Sequence, residues 1–379
     1  MGVFRGTLKD VPVAELGALA IRSSLEKSKV DPNEVDEVFM GNVIGAGLGQ
    51  NIARQCTIGA GLDLGVGATT INKVCGSSLR GIIHAARAIL CGDAGVIVAG
   101  GAESMSRAPF LLRRAREGYG MGHGELVDSM IHDGLWDVYN NKIMGECGDM
   151  CAEKFGFTRE QQDDYSITSY KRALEAQERG FFSKLITPVT IKTRKGEIVV
   201  DRDEEPTKFN EEKFRKLRPA FGPNGTVTAG NASGLSDGAS AVVVMSEEKV
   251  KSTGIKPIAR IIGHANVAQE PDWFTTAPVF AIRKLCDQLN LKMSDIDFFE
   301  INEAFAVVAM VAMKELDIPH EKVNVNGGAV SLGHPIGATG CRIVVTLMNA
   351  MRNRGGKIGI ACLCIGGGEA SALAIEMCE

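Results

Sequence analysis

No apolar run in this 379-residue chain approaches the ~20 residues that a membrane-spanning helix needs, so no span is expected. Charge of one sign is not in excess either: 42 Lys and Arg stand against 46 Asp and Glu, a formal net charge of -4. No global basic field follows from that balance, which argues against nucleic acid or an anionic membrane as a general partner. The opening stretch MGVFRGTLKDVPVAE has neither a signal-peptide apolar block nor an Arg/Ser-rich transit pattern. The ten cysteines lack paired, regular spacings and read as reduced thiols, which gives a cytoplasmic expectation. What is there, 45% hydrophobic and 23% charged residues, is the make-up of a globular protein with room for two or three domains.

The chain repeats itself. NEVDEVFMGN (33–42) matches SDIDFFEIN (294–302): a helix-start signal, an acidic turn, then an apolar strand ending in Asn, which sets Asn42 opposite Asn302. LRGIIHAARAILCGDAGVIVAGG (79–101) matches CRIVVTLMNAMRNRGGKIGIACLCIGGG (341–368) in its order of helix, turn, buried strand and glycines. Both offsets are about 260 residues, far beyond a solenoid repeat and fitting a duplicated domain. GASAVVVM (238–245) resembles EASALAIEM (369–377) at about half that offset, so the first half holds a long insertion. The expected division is 1–104 plus 236–254 for the first half, 105–235 for the insertion and 255–379 for the second half. The insertion is charged and Gly-broken, carries a helical pattern over 159–178, and is expected to cap one face of the core. In the halves, short apolar runs alternate with helical patterns, the signature of buried strands in α/β layers. The helix after Cys75 turns Leu79, Ile82, Ile83, Ala86 and Leu90 toward the core. Its counterpart, ATGCRIVVTLMNAM, is apolar nearly all round and is expected between sheets.

Cys75, in NKVCGSSLRG (72–81), stands where that first helix begins. Backbone N–H groups at such a position favour a thiolate and can donate to an oxyanion. The matching loop of the second half, NGGAVSLGHPIGATG (326–340), holds His334 at the corresponding helix start. The pseudo-twofold therefore sets Cys75 facing His334, and a Cys–His pair makes a thiol nucleophilic near neutral pH. Asn302 in INEAFA and Cys364 in CLCIGGG end strands of the second half, where α/β proteins bind ligands. Cys364 adds a second thiol suited to moving a proton, and Gly366 an unobstructed N–H donor.

These blocks, NKVCGSSLRG, INEAFA, NVNGGAVSLGHPIGATG and CLCIGGG, resemble the signature blocks of the thiolases, the acyl-CoA:acetyl-CoA C-acyltransferases. RPAFGPNGTVTAGNASGLSDGASA (218–241) is similar to the block that ends the family's loop domain, and the resemblance runs from Gly2 to the C-terminus. It implies an α/β fold of duplicated halves layered α-β-α-β-α, with a loop domain inserted in the first. It implies a ping-pong reaction in which CoA cleaves a 3-oxoacyl-CoA to acetyl-CoA and a shortened acyl-CoA, or the reverse Claisen condensation of two acetyl-CoA. Within that scheme Cys75 is acylated, His334 activates the attacking thiol and Cys364 exchanges the α-proton. Asn302, through a water, forms one oxyanion hole with His334; the N–H groups of Cys75 and Gly366 form the other. Ser233 matches a contact to the pantetheine arm, and Met144 and Phe305 line the substrate site. CoA and acyl-CoA are substrates; no metal or other cofactor is implied, and a homodimer or homotetramer is.

The chain departs from the family pattern at Ser78, commonly Gly, at Glu369 in GGGEA, commonly Met, and at Ile143, often His in short-chain members. Family members also carry a strand and an Arg-Thr turn ahead of the point where Met1 stands. The resulting expectations are that Met1 is an internal methionine, that a central strand beside the one ending at Asn42 is missing, and that the sheet is open around Asn42 and Val96. A mitochondrial location then stays open. The alternative function is a catalytically impaired, thiolase-like acyl-CoA-binding protein. Ketoacyl synthases share the architecture but lack the Cys364 block. GAGLGQ (45–50) lacks the spacing of a dinucleotide loop, His84 reads as structural, and nothing completes a zinc tetrad around Cys147 and Cys151. Lys208, Lys213, Arg215, Lys216 and Arg218 form either a solvated face or a contact to the CoA phosphates.

Overall fold

Short apolar, β-branched runs bounded by glycines form buried strands here, and the 3.6-period segments between them form helices. The computed structural model describes residues 1–194 and 196–378. In chain order come α1 (Val13–Ser28), β1 (Glu37–Gly41), α2 (Ile52–Gly59), β2 (Gly67–Ile71), α3 (Ser77–Cys91) and β3 (Val96–Ser104). Next are α4 (Met144–Phe155) and α5 (Arg159–Glu178), accompanied by short antiparallel pairs such as Phe110–Leu112 with Leu126–Asp128. The chain then returns as β4 (Ser236–Met245) and continues through β5 (Ala259–Ala268), α6 (Ala277–Leu289), β6 (Phe298–Ile301) and α7 (Ala306–Leu316). It ends with α8 (Ile336–Arg354), β7 (Ile358–Ile365) and β8 (Glu369–Met377).

Two sheets carry the repeat. In the first, β1 lies between β2 and β3, parallel to both, and β4 runs antiparallel on the far side of β3. In the second, β6 is parallel to β7, β8 runs antiparallel on β7, and β5 closes the edge antiparallel to β8. Helices α1 and α2 cover the outside of the first sheet, α6 and α7 the outside of the second, and α3 and α8 fill the space between, giving an α-β-α-β-α stack. Helix α8 is buried almost all round, as its apolar sequence predicts. Leu79, Ile82 and Ile83 of α3 are buried against it, each contributing ~1.5–3 kcal/mol. The two helices approach very closely: a Cβ on Gly340 would stand 2.4 Å from the Leu79 nitrogen, so only glycine permits this crossing. That approach brings the starts of α3 and α8, and with them Cys75 and His334, to one place.

Two expectations are corrected. Leu90 is 86% exposed, because it sits in the last turn of α3, beyond the contact with α8, and borders an open groove. No central strand is missing beside Asn42. Strand β1 is hydrogen-bonded on both flanks, Asn42 N–H donates to the Ile71 carbonyl at 3.1 Å, and Val96 pairs with Met245. Beside the free outer edge of β2, the sheet has a second, largely unpaired edge on the outside of β4, where among the described residues Gly2–Val3 alone pairs, with Asp237 and Ser236. The second half shows why: its first strand, β5, is an edge strand on β8, so order in the chain is not order in the sheet. The remaining edge of β4 borders a groove of about 1480 Å³ between α1, α3 and β5.

Candidate active site

The turn that presents Cys75 is strained and tightly held. Val74 lies at φ 47°, a left-handed conformation that a β-branched residue adopts only when its surroundings impose it, at about 1–3 kcal/mol. The imposing contacts are local: Val74 N–H donates to Asn72 Oδ1 at 3.0 Å, Lys73 N–H to Ser77 Oγ at 2.9 Å, and Ser77 Oγ–H to the Val74 carbonyl at 2.6 Å. Lys73 is also ion-paired to Glu369, which ties this turn to the glycine block after β7. The departure at Ser78 is accommodated, since its Oγ accepts from Cys341 N–H at 2.9 Å.

His334 faces the thiol, with Nε2 3.4 Å from Cys75 Sγ. Its tautomer follows from the other side of the ring. Thr339 Oγ1 spends its proton on the Pro335 carbonyl at 2.9 Å, so at 2.6 Å from His334 Nδ1 it can only accept. The ring proton is therefore on Nδ1, and the Nε2 lone pair is turned to Cys75.

Electrostatics make this a neutral pair at rest. Burial pushes the Cys75 thiol up to about 11, against the opposing pull of the Gly366 N–H and its own N–H. Burial, and then the Arg342 cation, press His334 down to about 3. Desolvation here outweighs the pull of the start of α3 toward a thiolate. Because His334 gains a proton only far below neutrality and Cys75 loses one only far above it, the reactive pair persists between. Acetyl transfer onto Cys75 is expected to be flat from about pH 5 to 9, with no limb near the usual imidazole value. A pH profile of single-turnover acetylation checks this; a fall centred near 6.5 would contradict it.

Cys364 and Gly366 lie beside Cys75. Cys364, fully buried near the end of β7, has its thiol pushed well up by burial and then by the neighbouring Cys75. Asn302 follows β6, its N–H bonded to the Cys362 carbonyl at 2.9 Å. Met144 begins α4 with its methyl directly over Gly366, 2.2 Å from where a Cβ would be. Phe305 is buried edge-on to Phe221, ring centroids 6.2 Å apart. Ser233 N–H donates to the Ala304 carbonyl at 2.9 Å, beside the loop that follows Asn302. Asn42, the repeat partner of Asn302, is instead bound by its side chain to Glu103 Oε1 and the Ala102 carbonyl.

Sequence reasoning missed the carboxylates that strap these loops together. Glu303, fully buried, accepts from Tyr165 Oη, Ser169 Oγ, Asn324 Nδ2 and Val330 N–H at 2.8–3.1 Å, joining α5 to the loop before His334. Glu103 accepts from Val43, Ile44 and Gly337 N–H as well as Asn42, joining the end of β1 to the start of α8. An acid inside INEAFA and another inside GGAES, both otherwise apolar and small, were the available signals.

Elsewhere, His84 accepts from Arg80 Nε at 3.2 Å and lies 6.2 Å from the Phe39 ring, outside the site. Cys147 Sγ and carboxylate oxygens of Asp137 and Asp272 lie within 4.8 Å of one another, with the Lys142 ammonium 3.1 Å from Asp272 supplying positive charge; Cys151 is not of that group. Of the basic residues, Lys208 pairs with Glu204, Arg215 with Asp164 and Glu211, and Lys216 with Glu212.

Comparison with known proteins agrees along the whole chain. The thiolase N-terminal domain matches residues 1–248 and the thiolase C-terminal domain residues 255–377. Acetyl-CoA acetyltransferase 2 of Arabidopsis thaliana is 52% identical over 380 residues, spanning 100% of this chain and 94% of that protein. Acetyl-CoA acetyltransferase of Pseudomonas aeruginosa is 49% identical, spanning 99% of this chain and 96% of its own. Among solved structures, Acat5 thiolase from Ascaris suum in complex with coenzyme A has a TM-score of 0.95 at 42% identity and covers 100% of this chain and 97% of that one. Both domain matches, and relatives this similar over their full length, establish that the chain belongs to the thiolase family.

Proposed function

We propose that the protein is an acetyl-CoA acyltransferase that makes or breaks the bond between the α-carbon of one thioester and the carbonyl of another. The observation that carries this reading is the His334 Nε2 lone pair 3.4 Å from the buried Cys75 thiol, with the Cys364 thiol beside it. In thiolysis, His334 takes the Cys75 proton as Sγ attacks the 3-oxo carbon. The carbon–carbon bond breaks, Cys364 protonates the departing α-carbon, and acetyl-CoA leaves. A second CoA thiol then displaces the shortened acyl group from Cys75, its proton ending on the site's bases. Run backward, the CoA released as acetyl passes to Cys75 takes up the Cys364 proton. The Cys364 thiolate then removes an α-proton from a second acetyl-CoA, the carbanion attacks the acetyl carbonyl, and Cys75 leaves and recovers its proton from His334. Asn302 through a water, with His334, serves one oxyanion, and Cys75 and Gly366 N–H the other.

Ser233 serves the pantetheine arm, while Met144 and Phe305 bound the acyl pocket; residues 105–235 act as the inserted loop domain, with 1–104 plus 236–254 and 255–379 as the halves. Lys213 and Arg218, exposed and without an ion-pair partner among the described residues, are left to meet the CoA phosphates. A homodimer or homotetramer is supported by the free outer edge of β2. A cytoplasmic location is supported by cysteines that are all free among the described residues. Fatty-acid β-oxidation is a role consistent with the thiolysis direction.

The impaired acyl-CoA-binding reading is not favoured, because nucleophile, base and second thiol are all in place. Intact-mass measurement after mixing with acetyl-CoA tests this: one acetyl group on the wild type, absent in Cys75→Ser. CoA binding without any acetylation of the wild type would overturn it.

A further inference from the structure

Arg342, on the second turn of α8, is buried to 7% exposure, and the mechanism above does not use it. Its Nη2 donates to Asn302 Oδ1 at 3.3 Å. Its Nη1 is 3.9 Å from Glu300 Oε2, while Nε, Nη1 and Glu300 Oε1 have no hydrogen-bond partner among the described residues. The same is true of Asn302 Nδ2. A buried guanidinium so sparsely bonded is an expensive feature, since charged groups taken from water are normally fully paired.

The consequence lies in the chemistry of the two groups. A guanidinium only donates, so it can face only the oxygen of a side-chain amide. The contact with Arg342 therefore fixes which way the Asn302 amide is turned, with Oδ1 toward α8 and Nδ2 away from it, unengaged. Without the cation the amide could flip and present an acceptor where a developing oxyanion needs a donor. We infer that Arg342 is a positioning residue for the condensation and thiolysis steps: it locks the Asn302 amide with its N–H donor directed to the reacting thioester oxygen or its bridging water. This rests on the oxyanion reading of Asn302 proposed above. Arg342 touches neither substrate nor reacting atoms in this scheme. Burial lowers its own pKa, opposed by the charges of Glu300 and Glu303, and its positive field helps to hold His334 down.

A double-mutant cycle with Arg342→Met and Asn302→Ala, read by steady-state kinetics, tests the inference. Asn302→Ala is expected to lower kcat about 10²-fold with KM for CoA within about twofold. Arg342→Met is expected to lower kcat about 10-fold or more with KM similarly unmoved, and Arg342→Lys, which retains a donor, to recover part of the loss. Because Arg342 acts through Asn302, the double variant should be no slower than Asn302→Ala alone beyond about twofold. Multiplying effects would overturn the inference, as would an Arg342→Met enzyme with normal kcat and only a lowered melting temperature. Normal kcat in Asn302→Ala would sink the oxyanion reading itself, and the inference with it. Should Arg342→Met fail to fold, Asn302→Asp decides: the carboxylate still pairs with Arg342 but lacks the N–H. It should melt no lower than Asn302→Ala while losing at least as much kcat, and the reverse order of stability would overturn the inference.

Discussion

Cys75→Ala is expected to lose turnover in both directions by ~10⁴-fold or more, with CoA affinity close to that of the wild type. The magnitude follows from the ping-pong scheme, in which every productive path passes through a thioester on Sγ and no other group can accept the acyl chain. Cys364, a neighbouring thiol, is fully buried and pushed well up in pKa, which suits it poorly to attack as a thiolate. Folding should be little affected. The strained Val74 turn is held by Asn72, Lys73 and Ser77, none of which bonds to the thiol. The lost sulfur is one buried atom, about 1 kcal/mol of packing or less. A melting temperature near the wild-type value together with absent turnover is the expected outcome, read by calorimetry and a thiolysis assay. Residual turnover within about 10²-fold of the wild type would mean that acyl transfer does not need Cys75.

The second large effect separates the two thiols. Cys364→Ala is expected to be acetylated on Cys75 by acetyl-CoA at a rate within about 10-fold of the wild type, while thiolysis and condensation fall by ~10³-fold or more. The Cys75–His334 contact is independent of Cys364, so the half-reaction keeps its nucleophile and base. The carbon–carbon step does not. An α-proton of a thioester is weakly acidic, and a thiol whose pKa is raised by burial yields a correspondingly stronger base when ionised. Removing Cys75 rather than Cys364 should therefore end both half-reactions, and removing Cys364 only one. Rapid-quench acetylation beside steady-state thiolysis distinguishes the two variants.

What could be read from the chain was what its repeat and its loops encode locally. The offset between NEVDEVFMGN and SDIDFFEIN, with that between the two helix-turn-strand segments, is enough to set Cys75 against His334. The buried character of α8 follows from its own composition, because an apolar surface all round must be covered on every side. Three things were not legible. The position of the free sheet edge depends on hydrogen bonding between strands far apart in the chain, visible only once β5 is seen on β8. The straps depend on partners brought together by folding, as Tyr165 and Glu303 are across 138 residues. The resting charge of Cys75 depends on how much water the layers exclude, a three-dimensional quantity that a favourable helix start cannot reveal. Asn302 shows both sides: its strand-end position was evident, but the cation that turns its amide lies forty residues on, in another element.

Deuterium uptake into the acetyl methyl group of acetyl-CoA in D₂O, followed by NMR with wild type and Cys364→Ala side by side, tests the division of labour between the thiols most directly. Wild type should exchange the α-protons, and Cys364→Ala should exchange them at least ~10²-fold more slowly while Cys75 still becomes acetylated. Exchange at the wild-type rate in Cys364→Ala would contradict Cys364 as the group that moves the α-proton.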